Sequence, residues 1–325
     1  MNAAPEEGWE YHQLQRYGRC SWGWMLLGVI CVLVGALFIA PGIVTIPFVL
    51  AYAALGHSSA TAALSTNPVH PLGLAYVNVT LAVAIPVVLL VSWAVNRLAP
   101  GWVVSVVRGF RVRWFLESAA CALVALAATL VVSLVVPSYP GDTTISSHHN
   151  AFTSTTLAFA LVVLLLTPLQ AAGEEFLFRG YLTQAFGSLF GRRWVAVVLP
   201  AVLFTLAHSQ SSTISGSAFL GQPYSALVDR LAFGLVSGVL VIATGGLEAG
   251  IAMHALNNYL AFGLALAFGN MTAALNPSGS SWWDLPVTMT QSLVFLGLVV
   301  WLARRRGVRT RSRQRGDFVS PAPAL

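Results

Sequence analysis

Two adjacent carboxylates and a guanidinium stand in an otherwise apolar stretch, Gly173-Glu174-Glu175-Phe176-Leu177-Phe178-Arg179-Gly180. On a helix, positions four apart share a face, whereas neighbours diverge by about 100°. Glu175 and Arg179 can therefore pair, which leaves Glu174 as the carboxylate available for chemistry. The same four-residue spacing recurs in Phe204-x-x-x-His208 and in His254-x-x-x-Asn258. Two carboxylates, two imidazoles, a guanidinium and an amide from three helices make a polar core able to hold water inside an apolar bundle.

The elements that must position these groups are membrane helices. Of 325 residues, 57% are hydrophobic and only 9% charged, against roughly 25% charged in soluble domains. The fold class expected is all-α, a polytopic bundle of about eight transmembrane helices. An ionisable residue at the centre of such a helix costs at least ~2.5 kcal/mol on insertion, so three within six positions point to function. The formal charge of +6 does not indicate nucleic acid. All seventeen basic residues are Arg, and seven of them lie between Arg304 and Arg315, a distribution that suits membrane orientation. Cys20, Cys31 and Cys121 are scattered and read as small buried hydrophobes.

The expected spans are 24–45, 74–94, 115–136, 152–169 running on into Glu174, 194–208, 226–244, 247–268 and 287–302. Pro41-Gly42 and Pro47 predict a broken or re-entrant tail to the first. Residues 100–114 mix Trp102, Val103, Val106, Val107 and Phe110 with Arg108, Arg111 and Arg113, the pattern of a piece lying on the inner leaflet. Arginines cluster in alternate loops and place both termini in the cytoplasm. Five regions follow: a cytoplasmic N-terminal segment (1–21) ordered late or not at all, three helices with the amphipathic segment (22–149), a domain carrying the polar motifs (150–265), the last loop and helix (266–303), and a basic cytoplasmic tail (304–325), expected to be disordered from Arg309 to Leu325. These boundaries leave His208 about 22 Å along its helix from the Arg192 surface, deeper than Glu174. Either the fourth span continues through Glu174 or the fifth tilts at Pro200. His148 and His149 read as loop residues, Glu248 as a carboxylate at a helix start, and Asp229 with Arg230 as a local pair at the outer interface.

In their order and separations, Glu174-Glu175-x-x-x-Arg179, Phe204-x-x-x-His208 and His254-x-x-x-Asn258 resemble the three motifs of the CAAX prenyl protease and bacteriocin-processing family of intramembrane endopeptidases. The resemblance covers about residues 150–265. It implies hydrolysis of a peptide bond in a membrane-associated substrate, with Glu174 and His208 activating water, His254 and Asn258 stabilising the oxyanion, and Glu175 with Arg179 holding the site together. Glu174, His208 and His254 also form a donor set for a divalent metal such as zinc, and no His-Glu-x-x-His motif decides the matter. The implied partners are the lipid bilayer and a peptide or lipidated peptide, without nucleic acid, in a multi-pass protein of a bacterial plasma membrane. The alternatives from another class are a non-catalytic immunity or binding protein and a proton-coupled transporter using the same polar core.

Overall fold

Among the described residues, seven helices are long and apolar enough to cross a membrane, and one further apolar helix is shorter. The computed structural model describes residues 8–54, 56, 64–137, 148–208, 218–219, 222–275 and 281–313. The crossing helices are α1 (Trp22–Ala54), the pair α2 (Pro71–Ala82) and α3 (Ala84–Ala94), α5 (Val112–Ser133), α6 (Ser154–Phe190), α8 (Tyr224–Thr244), α9 (Glu248–Phe268) and α11 (Asp284–Arg306). The short apolar helix is α7 (Arg193–Ala207); α4 (Gly101–Val104) and α10 (Met271–Leu275) are brief turns. A two-residue hairpin, Ala218–Phe219 with Gln222–Pro223, precedes α8. The all-α polytopic bundle is thus observed.

The bundle is apolar outside as well as in its core clusters, and polar side chains are placed within. Leu26, Ile30, Phe38, Leu123, Val131, Leu161 and Leu165 are exposed, while Asn78, Ser92, Asn96, Ser118, Thr167, Gln170 and Glu174 are buried. That inversion is what hydrocarbon as the solvent demands. Trp22, Trp194 and Trp301 lie exposed near the arginine-rich helix ends, and Trp282 and Trp283 at the opposite end, as interfacial aromatics do.

Three expectations are corrected. First, α1 is unbroken through Pro41 and Pro47. A π-helical turn at Gly35–Ile39 shifts its hydrogen bonding directly before Pro41, which lets a ring without an N–H fit, and Thr45 Oγ1 donates to the Pro41 carbonyl at 2.8 Å. Second, residues 101–106 do not lie on a leaflet. Trp102, Val103 and Val106 are buried, whereas Val107 and Phe110 stay exposed, and the backbone joins the α8–α9 turn through Val106 N to Gly245 O at 2.9 Å and Leu247 N to Val104 O at 3.0 Å. An amphipathic pattern suits a lipid surface and a protein crevice equally; the Gly245-Gly246 backbone decides between them here, because it supplies the partners that lipid cannot.

Third, the N-terminal segment is ordered from residue 8 and is strapped across the arginine-rich end. A 3₁₀ segment, Tyr11–Tyr17, lies against the last turns of α6. Gln15 donates to the Tyr181 carbonyl at 3.3 Å and Tyr11 to that of Val103, and Trp9 exchanges backbone and side-chain hydrogen bonds with Ser312. The two terminal segments therefore meet at one end of the bundle, and the tail is ordered to residue 313; residues 314–325 lie outside the described residues, as do 1–7. Glu10 takes both Arg193 and Arg311 as partners.

A hydrogen-bonded ion pair with Arg193, opposed by burial, holds the Glu10 carboxyl below its ordinary value, and burial, opposed by Glu10, pushes His12 down to about 4. Both groups lie outside the spanning helices. Since the folded value of His12 lies below its ordinary value of about 6.5, its contribution is complete above pH 6.5 and falls away as pH drops through 4; Glu10 acts in the same direction at lower pH. Amide hydrogen exchange of residues 9–17 should accelerate as pH falls through that window, after correction for intrinsic rates, and His12→Gln should flatten the response between pH 6.5 and 4. A pH-independent strap would contradict this.

Candidate active site

The helix carrying the two glutamates continues through them. In α6, α-helical bonding ends at Glu174 and a π-helical segment, Glu175–Leu182, leads to a final α-helical stretch ending at Phe190. π turns inside α-helices often mark functional sites. Gly191 reverses the chain in a left-handed conformation, φ 67°, and α7 returns antiparallel. Glu174 and His208 each lie seventeen residues from Gly191, so the hairpin brings them to one level. The apparent mismatch in depth disappears because the fourth span runs on through Glu174. At fifteen residues, α7 covers about 22 Å of a ~30 Å hydrocarbon core.

Small residues let the backbones close around these side chains. A Cβ on Gly173 would strike the Leu81 carbonyl oxygen, where α2 gives way to α3, and one on Gly250 would come within 2.8 Å of Glu175 Oε2. Glu248, fully buried, fixes the start of α9 through Arg111. The guanidinium spans both carboxylate oxygens at 2.8 and 2.7 Å, and the Arg111 backbone N–H adds a third bond at 3.0 Å. A residue read as a simple helix-start carboxylate is thus the anchor of the helix that carries His254.

His254 lies between the two glutamates. Its Nε2 is 3.3 Å from Glu174 Oε2 and its Nδ1 3.1 Å from Glu175 Oε1. Arg179 Nη1 is 3.3 Å from the same Glu175 oxygen, and the guanidinium stacks 4.2 Å from the Phe204 ring centroid and 5.5 Å from that of Phe233. Arg179 and Glu175 are each 1% exposed, so ring faces and one carboxylate hold this cation. On the other side of Glu174, His208 Nε2 stands 3.6 Å from Oε1, and His208 Nδ1 lies 2.8 Å from the Phe204 carbonyl. That carbonyl calls for a proton on Nδ1, so a neutral His208 presents a lone pair at Nε2 beside Glu174. Two acceptors converging on one point can both take hydrogen bonds from a single water.

Asn258 lies one helical turn from His254, and its amide donates to Gln170 Oε1 at 2.9 Å. Neighbouring Asn257 accepts from Gln291 at 3.0 Å. Sequence reasoning missed Gln170, although it is Glu174 minus four and so shares its face, and also Phe233, whose ring packs 5.6 Å from that of His254. Glu174 and His208 line a cavity of about 340 Å³ whose walls include Ala36 and Leu37 of the α1 π turn, Leu81, Phe178 and Arg230. Arg230 therefore borders the site rather than belonging only to an outer pair. Among the described residues no three His, Cys, Asp or Glu side chains come together in a way that would hold a metal ion. The two imidazole Nε2 atoms approach different oxygens of Glu174, and the Nδ1 atoms are taken by the Phe204 carbonyl and Glu175.

Removing one partner of a buried ion pair costs about 3–5 kcal/mol, because it strands the other charge. Arg179→Ala should lower the thermal midpoint in detergent sharply, whereas the double substitution Glu175→Gln with Arg179→Met should recover most of the loss. An unchanged midpoint in Arg179→Ala would show that Glu175 is compensated elsewhere.

Residues 153–260 match the family described as Type II CAAX prenyl endopeptidase Rce1-like. A curated relative, the uncharacterized protein YyaK of Bacillus subtilis (strain 168), is 28% identical over 160 residues, 47% of this chain and 50% of YyaK. The chain thus spans about half the length of the curated relative it matches. No solved structure matches it. All three motifs fall inside the matched segment, so the resemblance read from them agrees with the family that residues 153–260 match.

Proposed function

We propose that this chain is an intramembrane endopeptidase that hydrolyses a peptide bond of a membrane-associated substrate, without a metal. The single observation that carries the reading is the convergence of Glu174 and His208 on one side of a cavity inside the bundle, within a segment that matches a protease family. Glu174 and His208 accept hydrogen bonds from one water. As its oxygen bonds to the peptide carbonyl carbon, a proton passes to Glu174. The carbonyl oxygen takes the negative charge and receives donors from His254 and from Asn258, whose amide carries two protons, one of them directed to Gln170. Collapse breaks the C–N bond, and the proton on Glu174 goes to the leaving nitrogen. Glu175 and Arg179 keep His254 oriented throughout.

The terminal segments as far as they are described, residues 9–17 and 311–313, meet at one end, and that end is assigned to the cytoplasm of a bacterial cell, so that the arginine-rich side obeys the positive-inside rule. The substrate is a peptide reaching the cavity from the bilayer.

General-base catalysis contributes about 10²–10⁴-fold. Purified wild-type chain offered a membrane-peptide pool should therefore release cleavage products by mass spectrometry, and Glu174→Gln should lose at least ~10²-fold in rate while inserting normally. Undiminished cleavage by Glu174→Gln would refute the assignment. Protection against a peptide toxin, or proton-linked transport, that survives Glu174→Gln would favour a non-catalytic protein. Activity should also persist after dialysis against a strong chelator; loss restored by zinc would make Glu174, His208 and His254 metal ligands after all.

A further inference from the structure

The arginine-rich end carries a groove that has no part in the chemistry at Glu174. It runs between α8 and α11, which pack against one another, as two adjoining cavities of about 850 and 540 Å³ that share Val239, Ala243, Val300 and Arg304. From Leu293 to Arg304 it follows α11 for eleven residues, roughly 16 Å. That length is close to one leaflet's share, ~15 Å, of a bilayer core.

The lining divides by chemistry along that length. Toward the bundle middle are Val239, Leu293, Leu296 and Gly297, and at the arginine-rich end are Arg193, Arg304 and Arg305. Arg305 stacks 5.0 Å from the ring of Trp301, itself 55% exposed in the same groove. Glu10 also borders this end, but Arg193 and Arg311 both engage it, so its charge is more than offset. Arg304 enters no ion pair among the described residues. A cationic mouth, an interfacial Trp and an apolar slot one leaflet deep together match a single molecule with an anionic head and a hydrocarbon tail. Guanidinium groups suit a phosphate head because they bind it with paired donors.

We propose that this groove is a binding site for one anionic phospholipid, its phosphate held by Arg304 with Arg193 and Arg305, and one acyl chain lying between α8 and α11 over Gly297. The site is independent of the reaction at Glu174. Gly297 supplies the discriminating test, because a Cβ placed there meets nothing within 4 Å. A larger side chain would therefore fill the slot without strain and without touching any charge.

Native mass spectrometry of the full chain in mild detergent, titrated with phosphatidylglycerol or with phosphatidylcholine of the same acyl chains, measures occupancy. Wild type should retain one phosphatidylglycerol about tenfold more tightly than phosphatidylcholine. Arg304→Gln should abolish that preference, Arg304→Lys should keep part of it, and Gly297→Leu should remove binding of both lipids while the thermal midpoint stays within a few degrees. Equal retention of the two lipids by wild type would overturn the proposal. So would wild-type phosphatidylglycerol binding by Gly297→Leu, since it would reduce the attraction to charge at the surface.

Discussion

Two neighbouring carboxylates cannot stay ionised in a low-dielectric interior unless their charge is matched, and the architecture of this chain follows from how they are matched. One arginine faces Glu175 at 3.3 Å, and one histidine reaches both carboxylates. Arg179 is held against two aromatic faces rather than solvated, which fixes Phe204 and Phe233 and hence the places of α7 and α8. Charge pairing at this depth is a weak source of stability, because desolvation offsets most of the attraction. Its effect is positional: it sets which groups can sit beside Glu174.

That constraint explains features that look separate. Glu175 and Arg179 are in contact within the π segment that follows Glu174. The break between α2 and α3 exposes a carbonyl against which only Gly173 fits, and it opens the wall of the cavity. The buried Arg111–Glu248 pair fixes the start of α9 six residues before His254. At the same end, the plug of residues 101–106 and the strap of residues 9–17 cover the helix ends, so that the polar core is walled off from the arginine-rich face by Val103, Leu247 and Tyr11.

Much of this was legible in the sequence because helical spacing is a local property. Positions four apart gave the Glu175–Arg179 pair, and hydropathy gave the bundle. The order of three motifs gave the family that residues 153–260 match. What could not be read was decided by distant partners. Nothing local in Pro100 to Trp114 tells a crevice from a leaflet, since the deciding hydrogen bonds come from Gly245 and Leu247. Pro41 reads as a break, and only the π turn at Gly35–Ile39 directly before it removes it. The strap was invisible because Glu10 looks like an ordinary terminal carboxylate until Arg193 and Arg311 are beside it. Gln170 obeys the same spacing rule, four residues before Glu174, but as a neutral residue in an apolar run it carries no charge signal.

The chain's central claim on chemistry is that Glu174 hands a proton from water to the peptide bond without bonding to the substrate itself. A single turnover in oxygen-18 water tests this directly. Mass spectrometry should find one labelled oxygen in the new product carboxylate and none in Glu174. Label in the Glu174 side chain, with unlabelled product from the first turnover, would mean that the carboxylate attacks as a nucleophile, and would contradict the account.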